Sequence, residues 1–281
     1  MNTTAPPPAL EFVCSEIWGG NRPVDRAVEL PGVVGRLFSK PCGGGRGGDV
    51  HYMSVCGSGL LSRTCIADVA GHGEAVAAVS HELHGLLRRY MNNLDQRRVL
   101  ADLNRTLEQG ETLQLATAAA FTYYPPARSL SFSYAGHPPA WVFRRSSGRW
   151  GRLSLDAADG LANMPLAVSS DTHFTRGRTR VDFGDRLLIV TDGVLEAPAP
   201  GDATLYGDER LTAFLNDHRD DGVDDVSRRL VQELIEYTGD ATLRHDDVTF
   251  ALLEFRRGPR GPAIWTALKN RLWPRRGNTA E

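Results

Sequence analysis

Two hydrophobic rhythms alternate along the chain, and the points where one gives way to the other mark its elements. VHYMSVC, 50–56, and LLSRTCIADV, 60–69, are apolar and partly alternating, and Gly57-Ser58-Gly59 between them predicts a strand hairpin. After Gly73 the period lengthens. Val76, Val79, Leu83, Leu86, Leu87 and Tyr90 recur at three and four, which is one face of an amphipathic helix. DQRRVLADLNRTL, 95–107, predicts a second helix. Three β-like runs follow at 115–124, 128–135 and 140–145, divided by Pro125-Pro126 and by GHPP. Residues 146–172 are loop-rich, HFTRGRTRVDF at 173–183 alternates, and RLLIVTD at 186–192 is a nearly continuous apolar strand that stops at an aspartate. ERLTAFLND, 209–217, and DDVSRRLVQELIEYT, 224–238, predict two more helices, and DVTFALLEF, 247–255, a last strand.

Strands in hairpin succession with helix pairs inserted between them do not follow the strict βαβ alternation of a doubly wound fold. The pattern predicts an α+β fold: a four-layer α-β-β-α sandwich, two antiparallel sheets flanked by helices. A single domain over 11–255 is expected, after a Pro-rich, disordered N-terminus at 1–10. PCGGGRGG, 41–48, is a glycine-dense loop, and SEIWGGNR reads as an edge strand capping the sandwich. The basic tail, 256–281, carries an apolar stripe (Ile264, Trp265, Leu268, Leu272, Trp273) that predicts a short helix packed back on the domain, the alternative being a membrane-surface or partner helix with Lys269, Arg271, Arg275 and Arg276 opposite the stripe.

Composition narrows the function classes. Lys plus Arg number 32 and Asp plus Glu 34, so the net charge of -2 gives no case for nucleic acid or for a membrane partner. Cys14, Cys42, Cys56 and Cys65 form no CxxC pattern, as expected of reduced thiols in a cytoplasm. No basic-then-apolar leader is present, nor any run near the ~20 apolar residues that span a bilayer, so a full-length cytoplasmic protein is expected.

The candidate chemistry lies where strands meet aspartates: GGD ending at Asp49, IADVAGHG with Asp68, IVTDGV with Asp192, and HDDVTF with Asp246 and Asp247. Any one of these is an ordinary cap or turn former. Together, carboxylates from different strands can converge in one cleft, where they repel unless a divalent cation supplies the missing charge. Hard oxygen donors suit magnesium, manganese or calcium. Neither GxxxxGK[ST] nor GxGxxG after a strand is present, which weakens a nucleotide-binding reading. Cys56 and Cys65 lie in apolar runs and are discounted as nucleophiles.

In order, GGDV (47–50), ADVAGHG (67–73), YAGHPP (134–139), VTDGVLEA (190–197) and DDVTF (246–250) resemble the metal-dependent protein phosphatase (type 2C) family, in its bacterial, stage II sporulation protein E-like branch. The resemblance implies a serine/threonine phosphatase that uses two divalent metal ions, Mn2+ or Mg2+. It implies that Asp68 is shared by both ions, that Asp192 and Asp246 complete the first shell, and that Asp49 with the Val69 carbonyl serves the second. Asp247 would be the more variable neighbour of Asp246. Hydrolysis by a metal-activated water needs no phosphoenzyme. The animal and plant branch places a histidine two residues after the shared aspartate, where this chain has Ala70. His72 is the candidate stand-in, or a loop hydrogen-bonder, and His137 reads as a turn stabiliser. Arg22 and Arg46 are candidate phosphate anchors. The implied substrate is a phosphorylated regulatory protein such as an anti-sigma-factor antagonist, with an upstream sensor acting in trans. The alternative is a pseudophosphatase that binds a partner.

Overall fold

Alternation becomes two six-stranded sheets stacked face to face. The computed structural model describes residues 15–56, 59–71, 74–110, 115–155, 162–201 and 204–258. The disordered N-terminus and the tail helix expected above therefore lie outside the described residues, except for the tail's first residues, 256–258. The first sheet contains β1 (Ser15–Gly20), β4 (Val50–Val55), β5 (Ser62–Val69), β6 (Ala116–Tyr124), β7 (Ser129–Ala135) and β10 (Gly177–Arg180), in the order β1-β4-β5-β6-β7-β10. The second contains β2 (Val24–Leu30), β3 (Val33–Lys40), β8 (Trp141–Arg144), β9 (Arg149–Arg152), β11 (Arg186–Val190) and β12 (Val248–Phe255), ordered β2-β3-β12-β11-β8-β9. Every pairing in both is antiparallel. SEIWGG is an edge strand of the first sheet, as expected.

Helices α1 (Glu74–Tyr90) and α2 (Gln96–Glu108) cover the first sheet. Asp95 caps α2, its carboxylate accepting from Arg97 N at 3.2 Å. Helices α3 (Asp192–Leu195), α4 (Gly207–Asp217) and α5 (Val223–Thr238) cover the second sheet, and α5 stops at Gly239 in the left-handed region, φ 64°.

Three apolar layers hold these four together. Leu37, Met53, Ile66, Phe121 and Leu253 fill the space between the sheets. Tyr52, Leu83, Leu87, Leu100 and Leu103 seal the first sheet to its helices, and Trp141, Leu211, Leu230 and Phe250 seal the second. Each fully buried Leu or Phe contributes about 1.5–3 kcal/mol from leaving water.

The pattern reading missed some strands and overextended one. It assigned no strands to 24–40, where β2 and β3 turn through Pro31-Gly32 with Gly32 at φ +73°. It read β9 as loop. It overran β10, which is four residues long because it pairs only with β7 at the sheet edge. Among the described residues no helix is long and apolar enough to cross a membrane.

Candidate active site

One end of the sandwich collects the strand-end aspartates. Val50 pairs with Ala67 across β4–β5, so Asp49, one residue before β4, lies beside Asp68 near the end of β5. Val190 pairs with Phe250 across β11–β12, so Asp192 and the Asp246-Asp247 pair come from the same end of the second sheet. Thr191 joins the two groups. Its hydroxyl donates to Asp49 Oδ2 at 2.9 Å, while its amide donates to the Thr249 carbonyl at 2.9 Å. Thr249 N donates back to Thr191 Oγ1 at 3.1 Å, and Thr249 Oγ1 lies 2.8 Å from Ser39 Oγ.

Asp247 is 2% exposed and accepts from Cys42 N at 2.7 Å and from Gly48 N, so it clamps both ends of the 41–48 loop against β12. The resemblance made it the variable neighbour; here it has a structural task of its own. Gly47 packs so closely on that carboxylate that a Cβ would overlap it, and a Cβ on Gly48 would stand 2.8 Å from the Val69 carbonyl oxygen. Glycine is therefore required where the loop passes between Asp247 and β5. Asp246 is partly exposed, and its Oδ1 accepts from Asp247 N at 2.7 Å. Gly71, at φ +104°, lets the chain leave β5 toward α1 at an angle other residues rarely adopt.

The electrostatics follow from this crowding. Burial, and then the charges of Asp192, Asp246, Asp247 and Glu196, push Asp68 from 3.8 up to about 8. Burial and the charge of Asp68 raise Asp49 well above the carboxylate range, against the hydroxyls of Thr249 and Thr191. Asp192 is raised by burial, then by Asp246 and Glu196. Six carboxylates, Asp49, Asp68, Asp192, Glu196, Asp246 and Asp247, thus sit in one another's field.

Among the described residues, no three acidic, histidine or cysteine side chains close into a ready metal-holding group. The donor set nevertheless fits hard divalent cations: Asp49 is 1% exposed, and its Oδ1 has no hydrogen-bond partner among the described residues. A buried carboxylate oxygen left unpaired is costly unless something electropositive meets it.

The remaining candidates divide. His72 lies outside the described residues. His137 is 4% exposed, its Nδ1 2.8 Å from Thr117 Oγ1, and Thr117 is the cross-strand partner of Asp68. Burial lowers its imidazole to about 4, so it stays neutral and supports the strand. Arg22 and Arg46 are exposed. They flank one junction, because Asn21 Nδ2 donates to the Gly47 and Ala77 carbonyls, at 3.2 Å each, and Gly47 N donates to Asn21 O at 3.0 Å. Cys65 is buried and its thiol is pushed up to about 12, which leaves it inert. Cys56, read as part of a strand, lies just past β4 and is partly exposed. The sequence reading did not single out Asn21, Thr191 or Glu196. Glu196 carried a signal: it stands four residues after Asp192, one helical turn on.

Comparison with known proteins gives a consistent answer. A family model described as stage II sporulation protein E (SpoIIE) matches residues 62–256. The chain is 26% identical over 197 residues to "Phosphoserine phosphatase RsbP" of Bacillus subtilis, covering 68% of this chain and 45% of that protein; it thus spans about half of this curated relative. The crystal structure of RsbU and RsbW domains from Mycobacterium tuberculosis superposes with a TM-score of 0.63 at 22% identity, covering 85% of this chain and 64% of that one. The catalytic domain of the serine/threonine phosphatase PstP, in complex with 2 manganese ions, has a TM-score of 0.53 at 17% identity, covering 79% of this chain and 97% of that one.

Proposed function

The chain belongs to the stage II sporulation protein E family, and from that membership and its strand-end carboxylates we propose that it is a metal-dependent protein-serine/threonine phosphatase. The observation that carries the reading is the unpaired, buried Oδ1 of Asp49 within a set of carboxylates whose charges push Asp68 to about 8. Asp68 would face both cations, Asp192 and Asp246 the first, and Asp49 with the Val69 carbonyl the second. A bound pair of Mn2+ or Mg2+ ions supplies Lewis acidity and a nucleophilic water at neutral pH.

The chain's own residues then have distinct tasks. Thr191 holds Asp49 in place through its hydroxyl, and Asp247 keeps the 41–48 loop closed so that Asp49 stays beside Asp68. Arg22 and Arg46, whose neighbours Asn21 and Gly47 are hydrogen-bonded, are the proposed guanidinium anchors for the phosphate of the substrate. His72 remains the candidate proton donor to the departing serine or threonine oxygen. A phosphorylated regulatory protein of the anti-sigma-factor-antagonist type is the proposed substrate, with a sensor acting in trans and a cytoplasmic setting. The domain proper spans 11–255.

A partner-binding module without turnover would require a lost ligand, and every carboxylate position implied by the family is filled. The test is hydrolysis of para-nitrophenyl phosphate and of phosphorylated antagonists with added Mn2+. The parent is expected to turn over only with the metal, and Asp68→Ala and Asp192→Asn to lose on the order of 10^3-fold or more with unchanged circular dichroism, because removing a ligand removes the transition-state charge stabilisation. Turnover that survives both substitutions would refute the assignment.

A further inference from the structure

One motif, YAGHPP at 134–139, contributes no carboxylate to the cleft, yet it forms the crossing between the sheets beside it. β7 ends at Ala135 in the first sheet and β8 begins at Trp141 in the second. Residues 136–140 therefore pass from one to the other at the carboxylate end: Gly136 bridges Ala118 on β6, whose partner is Ala67, and Trp141 pairs with Leu188 on the strand that leads to Asp192. The crossing is held on both sides. Gly136, at φ +62°, donates to the Asn163 carbonyl at 2.8 Å and sits so close to the Pro165 ring that a Cβ would overlap it. Tyr134 Oη donates to the Leu153 carbonyl at 2.7 Å and accepts from Ala140 N at 3.1 Å.

His137 lies inside this crossing, 4% exposed, with Nδ1 2.8 Å from Thr117 Oγ1. Thr117 and Asp68 are directly opposed on β6 and β5, so their side chains leave the same face of the sheet as close neighbours. Toward the second sheet, Thr191 turns its amide to β12, which aims the N–H and C=O of Val190 the other way, at the β8 side. Continuing the β8–β11 register sets Val190 opposite Pro139, which has no N–H to give. Burial lowers the His137 imidazole to about 4, and the backbone of Val190 opposes that shift, as a carbonyl facing a ring N–H does. The ring thus stands between Thr117, beside Asp68, and Val190, two residues before Asp192.

We propose that His137 is a positioning residue that braces the two sheets, accepting from Thr117 through Nδ1 and presenting its Nε2 proton to the Val190 carbonyl, and so sets the span between Asp68 and Asp192. This rests on the reading of those two carboxylates as ligands of the first cation. Ligands whose separation is loose must be immobilised when the ion binds, and a brace between their strands removes that cost beforehand. The hydroxyl matters too. Thr117 gives its one proton to His137 and has none left for Asp68, whose oxygens stay available to a cation. Packing alone does not call for an imidazole here, because burying two ring nitrogens is costly unless both are used.

Calorimetric titration of Mn2+ into the full chain at pH 7 tests it, with variants that separate bracing from packing. His137→Ala should weaken Mn2+ binding about tenfold, as removal of a ligand's supporting partner does. Thr117→Val keeps the shape and removes the hydroxyl; it should weaken binding in the same direction, and the double variant should be no worse than His137→Ala alone. If His137→Ala fails to fold, Thr117→Val and His137→Gln, which retains a donor near the reach of Nε2, carry the test, each expected to bind Mn2+ more weakly than the parent. Thermal melts confirm that each variant is folded. Nitrogen NMR of the metal-free parent should show His137 as one neutral tautomer, protonated on Nε2, from about pH 6 to about pH 8. Parental Mn2+ affinity in the folded variants, additive losses in the double variant, or a ring protonated on Nδ1 would overturn the role of His137 and leave the two-cation reading standing. A parent chain that binds no Mn2+ would refute that reading and the brace with it.

Discussion

Asp68 is a carboxyl whose environment favours the proton, and that has a measurable sign. In the fold it is raised from 3.8 to about 8, so between those values the folded chain holds a proton that the unfolded chain has released. Its contribution to metal-free stability is present below about pH 4 and is lost as pH rises toward 8. Metal-free protein is therefore expected to melt progressively lower from pH 5 to pH 8. Asp68→Asn, which carries no charge to repel, should melt higher than the parent at pH 8 by on the order of 5 °C, with the gap closing toward pH 4. Parallel pH profiles by differential scanning fluorimetry would contradict this. Asp247 makes a second prediction. Asp247→Ala leaves the amides of Cys42 and Gly48 without their acceptor, and should cost about 2–4 kcal/mol in urea unfolding; a cost below about 0.5 kcal/mol would show that the loop is held by other means. The sequence placed aspartates at strand ends, and the resemblance made Asp246 a ligand and Asp247 its variable neighbour, but neither showed that Asp247 would clamp the 41–48 loop. Neighbours at a strand end point to opposite sides, and which side meets the 41–48 loop is decided by a segment some 200 residues away.

Among the elements, the long periodic ones were legible and the short ones were not. Helices α1, α2, α4 and α5 show a sustained apolar face, and β5 and β12 are buried along nearly their whole length, so their signals repeat often enough to read. The β2–β3 hairpin is different. Val24–Leu30 faces solvent at several positions, with Asp25, Arg26 and Glu29 exposed, and its clearest mark is the Pro31-Gly32 turn, which the hydrophobic rhythm alone passes over. The four-residue strands β9 and β10 are too brief for a period to establish itself. The 41–48 loop was read correctly as glycine-dense, yet the reason for its glycines is contact rather than freedom alone: Gly48 runs against the carbonyls of Val69 and Gly71. Gly48→Ala would push the loop away from β5 and separate Asp49 from Asp68. Loss of Mn2+-dependent turnover by at least about tenfold is expected, with a stability cost of about 1–3 kcal/mol. Retained turnover at parental metal affinity would show that the end of β5 can yield.

At the scale of the whole molecule, the site exists only because two sheets stack. Asp49 and Asp68 belong to the first sheet, Asp192 and Asp246 to the second, and the buried Thr191–Asp49 hydrogen bond crosses between them at the end of the layer filled by Leu37, Met53 and Leu253. The order of motifs along the chain made the family recognisable, but it could not show which carboxylates would be buried or which oxygen would go unpaired. The central claim is that these carboxylates jointly hold two divalent cations. Calorimetric titration of Mn2+ into the full chain tests it most directly, read at pH 7 in buffers of different ionisation enthalpy and repeated on Asp68→Asn. Two ions per parent chain are expected, with proton release on binding, and at most one in the variant with affinity weakened by on the order of 100-fold; identical stoichiometry and affinity in the two proteins would contradict the account.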